Sequence, residues 1–119
     1  MKPLERLRLQ SSVTTVDADG AAAFAHEAAA GVLLLPGDPT RPEVTDVAVV
    51  LGERAGRFPG LRVAVAHEGH EPAMRAHFGV RSFPALLFVK GGEVVTTLTR
   101  MQSWSTYADA ARALEEGAR

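Results

Sequence analysis

The sequence predicts a three-layer α/β sandwich, in which helices cover both faces of a mixed sheet. Short apolar or β-branched runs alternate with amphipathic stretches along the chain, which is typical of strands separated by helices. One apolar run, Val32 to Leu35, is continuous, as in a strand buried on both faces. A second run, Phe83 to Val89, leads into the turn Lys90-Gly91-Gly92-Glu93, which predicts an antiparallel hairpin.

The chain is predicted to begin with a short helix and a strand. Leu4, Leu7 and Leu9 have spacings that allow a short amphipathic helix. The β-branched run from Ser11 to Val16 predicts the first strand.

The second helix is predicted over the alanine-rich stretch from Ala21 to Ala30. Either Asp17 or Asp19 can cap its first turn. Gly31 stands where a left-handed C-terminal cap is commonly needed. The apolar run from Val32 then predicts a central strand, which ends at Pro36-Gly37.

A turn-rich segment, residues 37–43, leads into a third helix whose apolar positions begin at Val44. Thr40 and Glu43 are three residues apart and predict a capping box. In that motif Thr40 accepts from the amide of Glu43, and Glu43 reaches back to the amide of Thr40. Pro42 lies in the first turn, where its missing donor is not needed.

The second half of the chain adds a strand and a short helix before the hairpin. The strand is predicted over Leu61 to Ala66 and the helix over Pro72 to Phe78. Glu71 lies near the start of this helix, and Gly79 closes it.

The hairpin returns along a strand over Val94 to Leu98, and a last helix is predicted over Ser103 to Glu116. The whole chain, residues 1–119, is expected to form a single domain, because it is slightly shorter than a typical domain.

Composition and charge exclude several function classes. The 119 residues are 46% hydrophobic and 23% charged, which is typical of a folded domain. A formal net charge of −1 gives no general attraction for nucleic acid, so we expect no nucleic-acid partner. The sequence contains no cysteine, which excludes disulfides, thiolate metal sites and thiol redox chemistry. We expect no membrane span and a cytoplasmic location, because the apolar runs are short and the segment from Met1 to Gln10 lacks the core of a secretory signal.

One long stretch, His77 to Val94, reads HFGVRSFPALLFVKGGEV and resembles the segment that thioredoxins carry around their cis-proline. The resemblance implies a thioredoxin-like three-layer α/β/α sandwich with Pro84 as the cis-proline. It also places Pro39 to Glu43 where thioredoxins have their two redox cysteines. The proline of that motif is kept as Pro42, whereas both cysteines are missing, and Leu34 aligns with the buried acid of thioredoxins.

A cysteine-free chain of this kind, with Pro36-Gly37-Asp38-Pro39 followed by Arg41, Glu43 and Asp46, resembles the HyaE/HupG group of hydrogenase maturation proteins. These are regarded as chaperones for the small subunit of NiFe uptake hydrogenases, whose precursor carries a twin-arginine signal peptide. The resemblance implies a non-redox chaperone that binds this precursor, its signal peptide or other hydrogenase accessory proteins. A structural accessory subunit, which contacts folded hydrogenase or another accessory protein in a maturation complex, is the alternative.

In thioredoxin-like folds the cis-proline loop presents a backbone edge beside the helix that follows the second strand. An extended peptide can pair with that edge by strand addition. Paired arginines in such a peptide would need carboxylates, for which Asp38, Glu43 and Asp46 are candidates. The expected partner-binding residues are Asp38, Thr40, Arg41, Glu43, Asp46, Phe83, Pro84 and Arg100.

The charged candidates also have simpler interpretations, which stay open at this point. Glu43 can act through the helix dipole alone, Asp38 can be a turn residue, and Asp46 can lie on a solvated helix face. Arg41 and Arg100 would make the groove partly basic, which weighs against arginine recognition unless they are paired within the chain.

The remaining polar candidates do not converge on a catalytic site. His67 and His70 have a spacing that can bind a metal, but we interpret them as loop polarity. His26 and His77 are interpreted as packing at helix boundaries, and Met74 as a core residue. No nucleophile stands beside a base and an orienting group, so we expect a protein that is not an enzyme, with no cofactor and no metal.

Overall fold

The computed structural model describes residues 2–55 and 61–99. Their elements, in chain order, are α1 (Pro3–Leu9), β1 (Val13–Val16), α2 (Ala18–Glu27), β2 (Ala30–Leu35), α3 (Pro42–Arg54), β3 (Arg62–Ala66), α4 (Glu71–Phe78), β4 (Ala85–Lys90) and β5 (Glu93–Leu98). The predicted alternation of helices and strands is confirmed over this part of the chain. The predicted last helix, Ser103 to Glu116, lies outside the described residues.

The strands form one mixed sheet with the order β1-β3-β2-β4-β5. β3 is parallel to both β1 and β2, whereas β4 is antiparallel to β2 and β5. β2 is the central strand, as predicted, and all six of its residues are buried. Leu34 pairs with Val65 on one side and with Leu86 on the other. The hairpin is confirmed, with Lys90 paired to Glu93.

Helices cover both faces of the sheet, because successive residues of a strand point to opposite sides. Val32 and Leu34 pack into the core beneath α1 and α3. Leu33 and Leu35 pack into the core beneath α2 and α4. The predicted three-layer fold class is therefore confirmed.

The helix ends show which local signals decide the boundaries. Asp17 caps α2, because its Oδ1 accepts a hydrogen bond from the Gly20 amide at 2.7 Å. Gly79 ends α4 in a left-handed conformation, as predicted. The prediction for Gly31 is wrong, since α2 ends at Glu27 with Ala28 as its C-cap, and Gly31 belongs to β2. Gly31 provides space there, because a Cβ would lie 2.8 Å from Cζ of Phe24.

No helix within residues 2–55 and 61–99 is both long enough and apolar enough to cross a membrane.

Candidate functional site

Two loops meet at the carboxyl end of β2. The first, residues 36–41, joins β2 to α3, and the second, residues 79–84, joins α4 to β4. The peptide bond between Phe83 and Pro84 is cis, which confirms what the resemblance implied. We use the name cis-proline site for residues 36–43 together with residues 82–84.

Phe83 packs closely against Gly37 and lies under the guanidinium of Arg75. Gly37 has a φ of +69°, and a Cβ built on it would lie 2.5 Å from Cβ of Phe83, so only glycine allows this approach. The guanidinium carbon of Arg75 lies 5.0 Å from the centre of the Phe83 ring. Arg75 also donates to the carbonyl oxygen of Arg81 at 3.0 Å. Phe83 and Pro84 are both buried, so their side chains belong to the core rather than to the surface of the site.

Asp38 and Thr40 form a tight polar turn before α3. Oδ1 of Asp38 accepts from the Thr40 amide at 2.9 Å and from the Thr40 hydroxyl at 2.7 Å. These two hydrogen bonds, the amide first, together with the charge of Arg41, lower the pKa of Asp38 below its ordinary value. The turn interpretation of Asp38 is therefore confirmed, and the exposed carboxylate is ionised at neutral pH.

The predicted capping box is wrong. Thr40 donates from its amide and from its hydroxyl to Oδ1 of Asp38, and α3 begins one residue too late for Thr40 to be its N-cap. The N-cap residue of α3 is Arg41, which makes no side-chain capping hydrogen bond. Pro42 is the first residue of the helix and Glu43 lies in its first turn, as predicted.

Arg41 connects the two loops. Its Nη1 donates to the carbonyl oxygen of Phe83 at 3.1 Å, and its Nε lies 3.6 Å from Oε2 of Glu43. The charge of Arg41 is therefore paired within the chain. Under this condition, the sequence allows the groove to recognise arginine. Oε2 of Glu43 is shielded from solvent and accepts no hydrogen bond from the described part of the chain.

The structure brings together most of the predicted site residues. Asp38, Thr40, Arg41 and Glu43 lie on one side of the site, and Phe83 with Pro84 lies on the other. Asp46 is exposed on α3, three residues after Glu43. Arg100 lies outside the described residues.

Comparison with known proteins gives the family. Residues 4–107 match the family model described as "Hydrogenase-1 expression protein HyaE". The chain belongs to the HyaE family.

Relatives of this HyaE-family chain are also described as hydrogenase expression proteins. It is 51% identical over 88 residues to the "Hydrogenase expression/formation protein HupG" of Bradyrhizobium diazoefficiens, a match that covers 71% of this chain and 60% of that protein. It is 31% identical over 115 residues to HoxO of Azotobacter vinelandii, which bears the same description, and this match covers 96% of the chain and 78% of HoxO. The chain therefore spans about three fifths of HupG and about four fifths of HoxO.

Solved structures confirm the thioredoxin fold. Thioredoxin O2 from Arabidopsis thaliana superposes with a TM-score of 0.74, covering 88% of this chain and 96% of that one. The sequence identity is 17%, so this likeness shows the fold alone.

Sequence reasoning missed one side of the site in this HyaE-family chain. An open cleft of about 380 Å³ lies beside Pro39 and Thr45, between the first turns of α1 and α3. Two of its charged lining residues, Arg8 and Glu68, form an ion pair, with 2.8 Å between Nη1 and Oε1. Arg8 and Glu68 are sixty residues apart in the chain, so no local pattern could have paired them.

The histidines lie away from this site. His67 is exposed on the loop before α4, and no group of three metal-ligating side chains occurs within residues 2–55 and 61–99. His26 and His77 are exposed rather than packed, and both line an open cleft of about 450 Å³ between α2, α4 and the hairpin. Met74 is buried in the core, as predicted.

Proposed function

We propose that this chain is a non-redox chaperone in the maturation of NiFe uptake hydrogenases, which binds the small-subunit precursor and its twin-arginine signal peptide in the cytoplasm. One observation carries the proposal. The buried loop at Phe83 and Pro84 lies beside the start of α3, joined to it by the hydrogen bond from Arg41 to Phe83, in a sequence without cysteine, which supports peptide binding without thiol chemistry. Membership of a hydrogenase expression family supports a hydrogenase protein as the partner.

Recognition divides into a general and a selective part. Strand addition at Phe83 uses main-chain hydrogen bonds, which are indifferent to sequence. Selection of paired arginines falls to the carboxylates, since a carboxylate can take a guanidinium through two parallel hydrogen bonds. Asp38 and Asp46 are exposed and available for this contact, whereas Glu43 is paired with Arg41.

A structural accessory subunit is the second candidate function. Val94 and Val95 on β5 are 40% and 53% exposed, which places apolar surface on a strand that pairs with β4 alone within the described residues. A folded hydrogenase subunit or another accessory protein would dock on such a surface without regard to the signal peptide.

The two functions separate in a binding experiment with the full chain and purified precursor. We expect retention of the precursor and loss of retention when the signal peptide is deleted. Asp38→Asn should weaken binding several-fold because it removes a carboxylate charge, whereas Glu27→Gln, a matched change at the exposed end of α2, should not. Binding should also weaken as salt is raised. Equal retention of both precursor forms would contradict signal-peptide recognition and favour the accessory subunit.

A further inference from the structure

Arg41 occupies a small set of acceptors at the centre of the cis-proline site. The carbonyl oxygen of Phe83 lies on one side of its guanidinium and the Glu43 carboxylate on the other. The Asp38 carboxylate is close enough for the charge of Arg41 to act on it. Any arginine side chain can bind a backbone carbonyl and carboxylates of this kind, because a guanidinium carries five donors and no acceptor.

We propose that Arg41 is a built-in stand-in for an arginine of the partner, so that the partner's guanidinium enters the site between Phe83 and Glu43 by displacing Arg41. The inference rests on the proposed function, because it says which group of the signal peptide the cis-proline site takes. It also makes Arg41 an autoinhibitory residue, because the site is closed to arginine while Arg41 remains in place.

The contacts of Arg41 are loose enough to be exchanged. Its side chain is 52% exposed, and an ion pair in such surroundings contributes little to stability. Oε2 of Glu43 stays 3.6 Å from Nε and accepts no hydrogen bond from the described residues. Arg41 is the N-cap residue of α3, only two residues before Glu43, so its backbone limits how its side chain can approach Oε2. An arginine of the partner has no such constraint and can donate a hydrogen bond to that oxygen.

The charge around the site favours a cationic ligand over an anionic one. Residues 36–46 contain three acidic side chains and one basic side chain, Arg41 itself. When Arg41 moves away, the carbonyl oxygen of Phe83 and the carboxylates of Glu43 and Asp38 lose its charge, while Arg75 stays over the Phe83 ring. A guanidinium from the partner restores that balance, whereas a carboxylate from the partner would meet like charge.

The first experiment tests the guanidinium site without any peptide. Guanidinium ion at millimolar concentration, far below the denaturing range, is titrated into the wild type, Arg41→Ala and Arg6→Ala, and amide shifts are followed by NMR. Arg6→Ala is the matched control, because it removes the same charge from an exposed position on α1. We expect saturable shifts at the amides of Phe83 and Glu43 in Arg41→Ala only. Equal shifts in all three proteins would overturn the proposal.

The second experiment uses a signal peptide with paired arginines and its version with paired lysines. Arg41→Ala should bind the arginine peptide about three- to tenfold more tightly than the wild type and Arg6→Ala do, because removal of the competing side chain raises the fraction of open sites. The lysine peptide should gain nothing, since an ammonium cannot span the two acceptors. Arg41→Lys should lie between the wild type and Arg41→Ala.

The outcomes separate the two proposals. If the wild type binds the arginine peptide and Arg41→Ala binds it no better than Arg6→Ala does, the stand-in role fails and the proposed function stands. If guanidinium enters Arg41→Ala but no variant binds the peptide, the arginine site stands and signal-peptide binding fails. Weaker peptide binding by Arg41→Ala would make Arg41 a direct contact to the partner and would also overturn the inference.

Discussion

Two arginine–glutamate pairs of the same chemistry lie in different surroundings. Arg8 and Glu68 approach to 2.8 Å, with side chains that are 18% and 34% exposed. Arg41 and Glu43 stay 3.6 Å apart, with side chains that are 52% and 39% exposed. Each arginine also donates to a backbone carbonyl, Arg8 to that of Ala66 at 2.9 Å and Arg41 to that of Phe83 at 3.1 Å. The same interactions are thus shorter and less exposed at Arg8 than at Arg41, which is the difference that the proposed exchange of Arg41 requires.

The less exposed pair, Arg8 and Glu68, is called the shielded pair, and it connects separate parts of the fold. Arg8 lies on α1, whereas Ala66 ends β3 and Glu68 follows it. Partial burial raises the pKa of Glu68, but the hydrogen bond from Arg8, a backbone hydrogen bond and the charge of Arg8 together lower it below its ordinary value. The pair therefore fastens α1 to the end of the sheet. Arg41 and Glu43, by contrast, are neighbours at the start of one helix and fasten only the Phe83 loop.

The largest expected effect comes from breaking the support of the Phe83 loop. Gly37→Ala should lower the free energy of unfolding by about 2–4 kcal/mol, because it adds a left-handed alanine and an overpacked Cβ. It should also move the Phe83 carbonyl away from Arg41 while leaving the Arg8 pair intact. Urea denaturation measures the change.

Gly69→Ala is the matched control for that variant. Its φ of +91° is equally unsuited to alanine, but a Cβ there would meet nothing within 4 Å. Gly69→Ala should therefore lower the free energy of unfolding only by the cost of the left-handed backbone, about 1 kcal/mol. Equal losses in the two variants would contradict the tight contact between Gly37 and Phe83.

The second-largest effect on stability is expected from breaking the ion pair between Arg8 and Glu68. Arg8→Ala should lower the free energy of unfolding by about 1–3 kcal/mol, because the partly buried Glu68 carboxylate and the Ala66 carbonyl lose their donor. Arg6→Ala, an exposed change on the same helix, should stay within about 0.5 kcal/mol. Similar values for both variants in thermal or urea denaturation would show that α1 does not depend on this pair.

The pH dependence of the shielded pair gives a smaller effect with a defined sign. Because the folded state lowers the pKa of Glu68 below 4.5, the stability that Glu68 contributes is fully present above that pH. It is lost as the pH falls through the lower pKa of the folded state. The stability difference between the wild type and Glu68→Gln should therefore shrink on acidification from about pH 6 to about pH 3. A difference that grows on acidification would show that the pKa is raised instead.

Local patterns predicted the elements of this fold better than the contacts of its site. The cap at Asp17, the left-handed Gly79, the buried β2 and the hairpin each depend on residues close in the chain. The helix end predicted at Gly31 was wrong because this glycine is needed for a different reason. It leaves room in β2 for the ring of Phe24, which a Cβ at this position would overlap.

The site contacts were harder to predict because they depend on distant partners or on competition between neighbours. Thr40 has the spacing of a capping box, but it donates to Asp38, two residues earlier, and Arg41 is the N-cap of α3 instead. Arg41 and Phe83 are 42 residues apart, and their contact exists only after β2 and β4 have paired. The resemblance placed Pro84 correctly, whereas the occupation of the Phe83 carbonyl by Arg41 could be seen only in three dimensions.

The smallest expected effect is the most informative about the exposed pair. Arg41→Ala should lower the free energy of unfolding by about 0.5–1 kcal/mol, less than Arg8→Ala does, because the side chains of Arg41 and Glu43 are 52% and 39% exposed and only the Phe83 carbonyl loses a hydrogen bond shorter than 3.5 Å. A double-mutant cycle with Glu43→Gln should give a coupling energy below that of Arg8→Ala with Glu68→Gln. An equal or larger coupling at Arg41 would make its pair structural, and displacement by an incoming arginine would then be too costly for the proposed exchange.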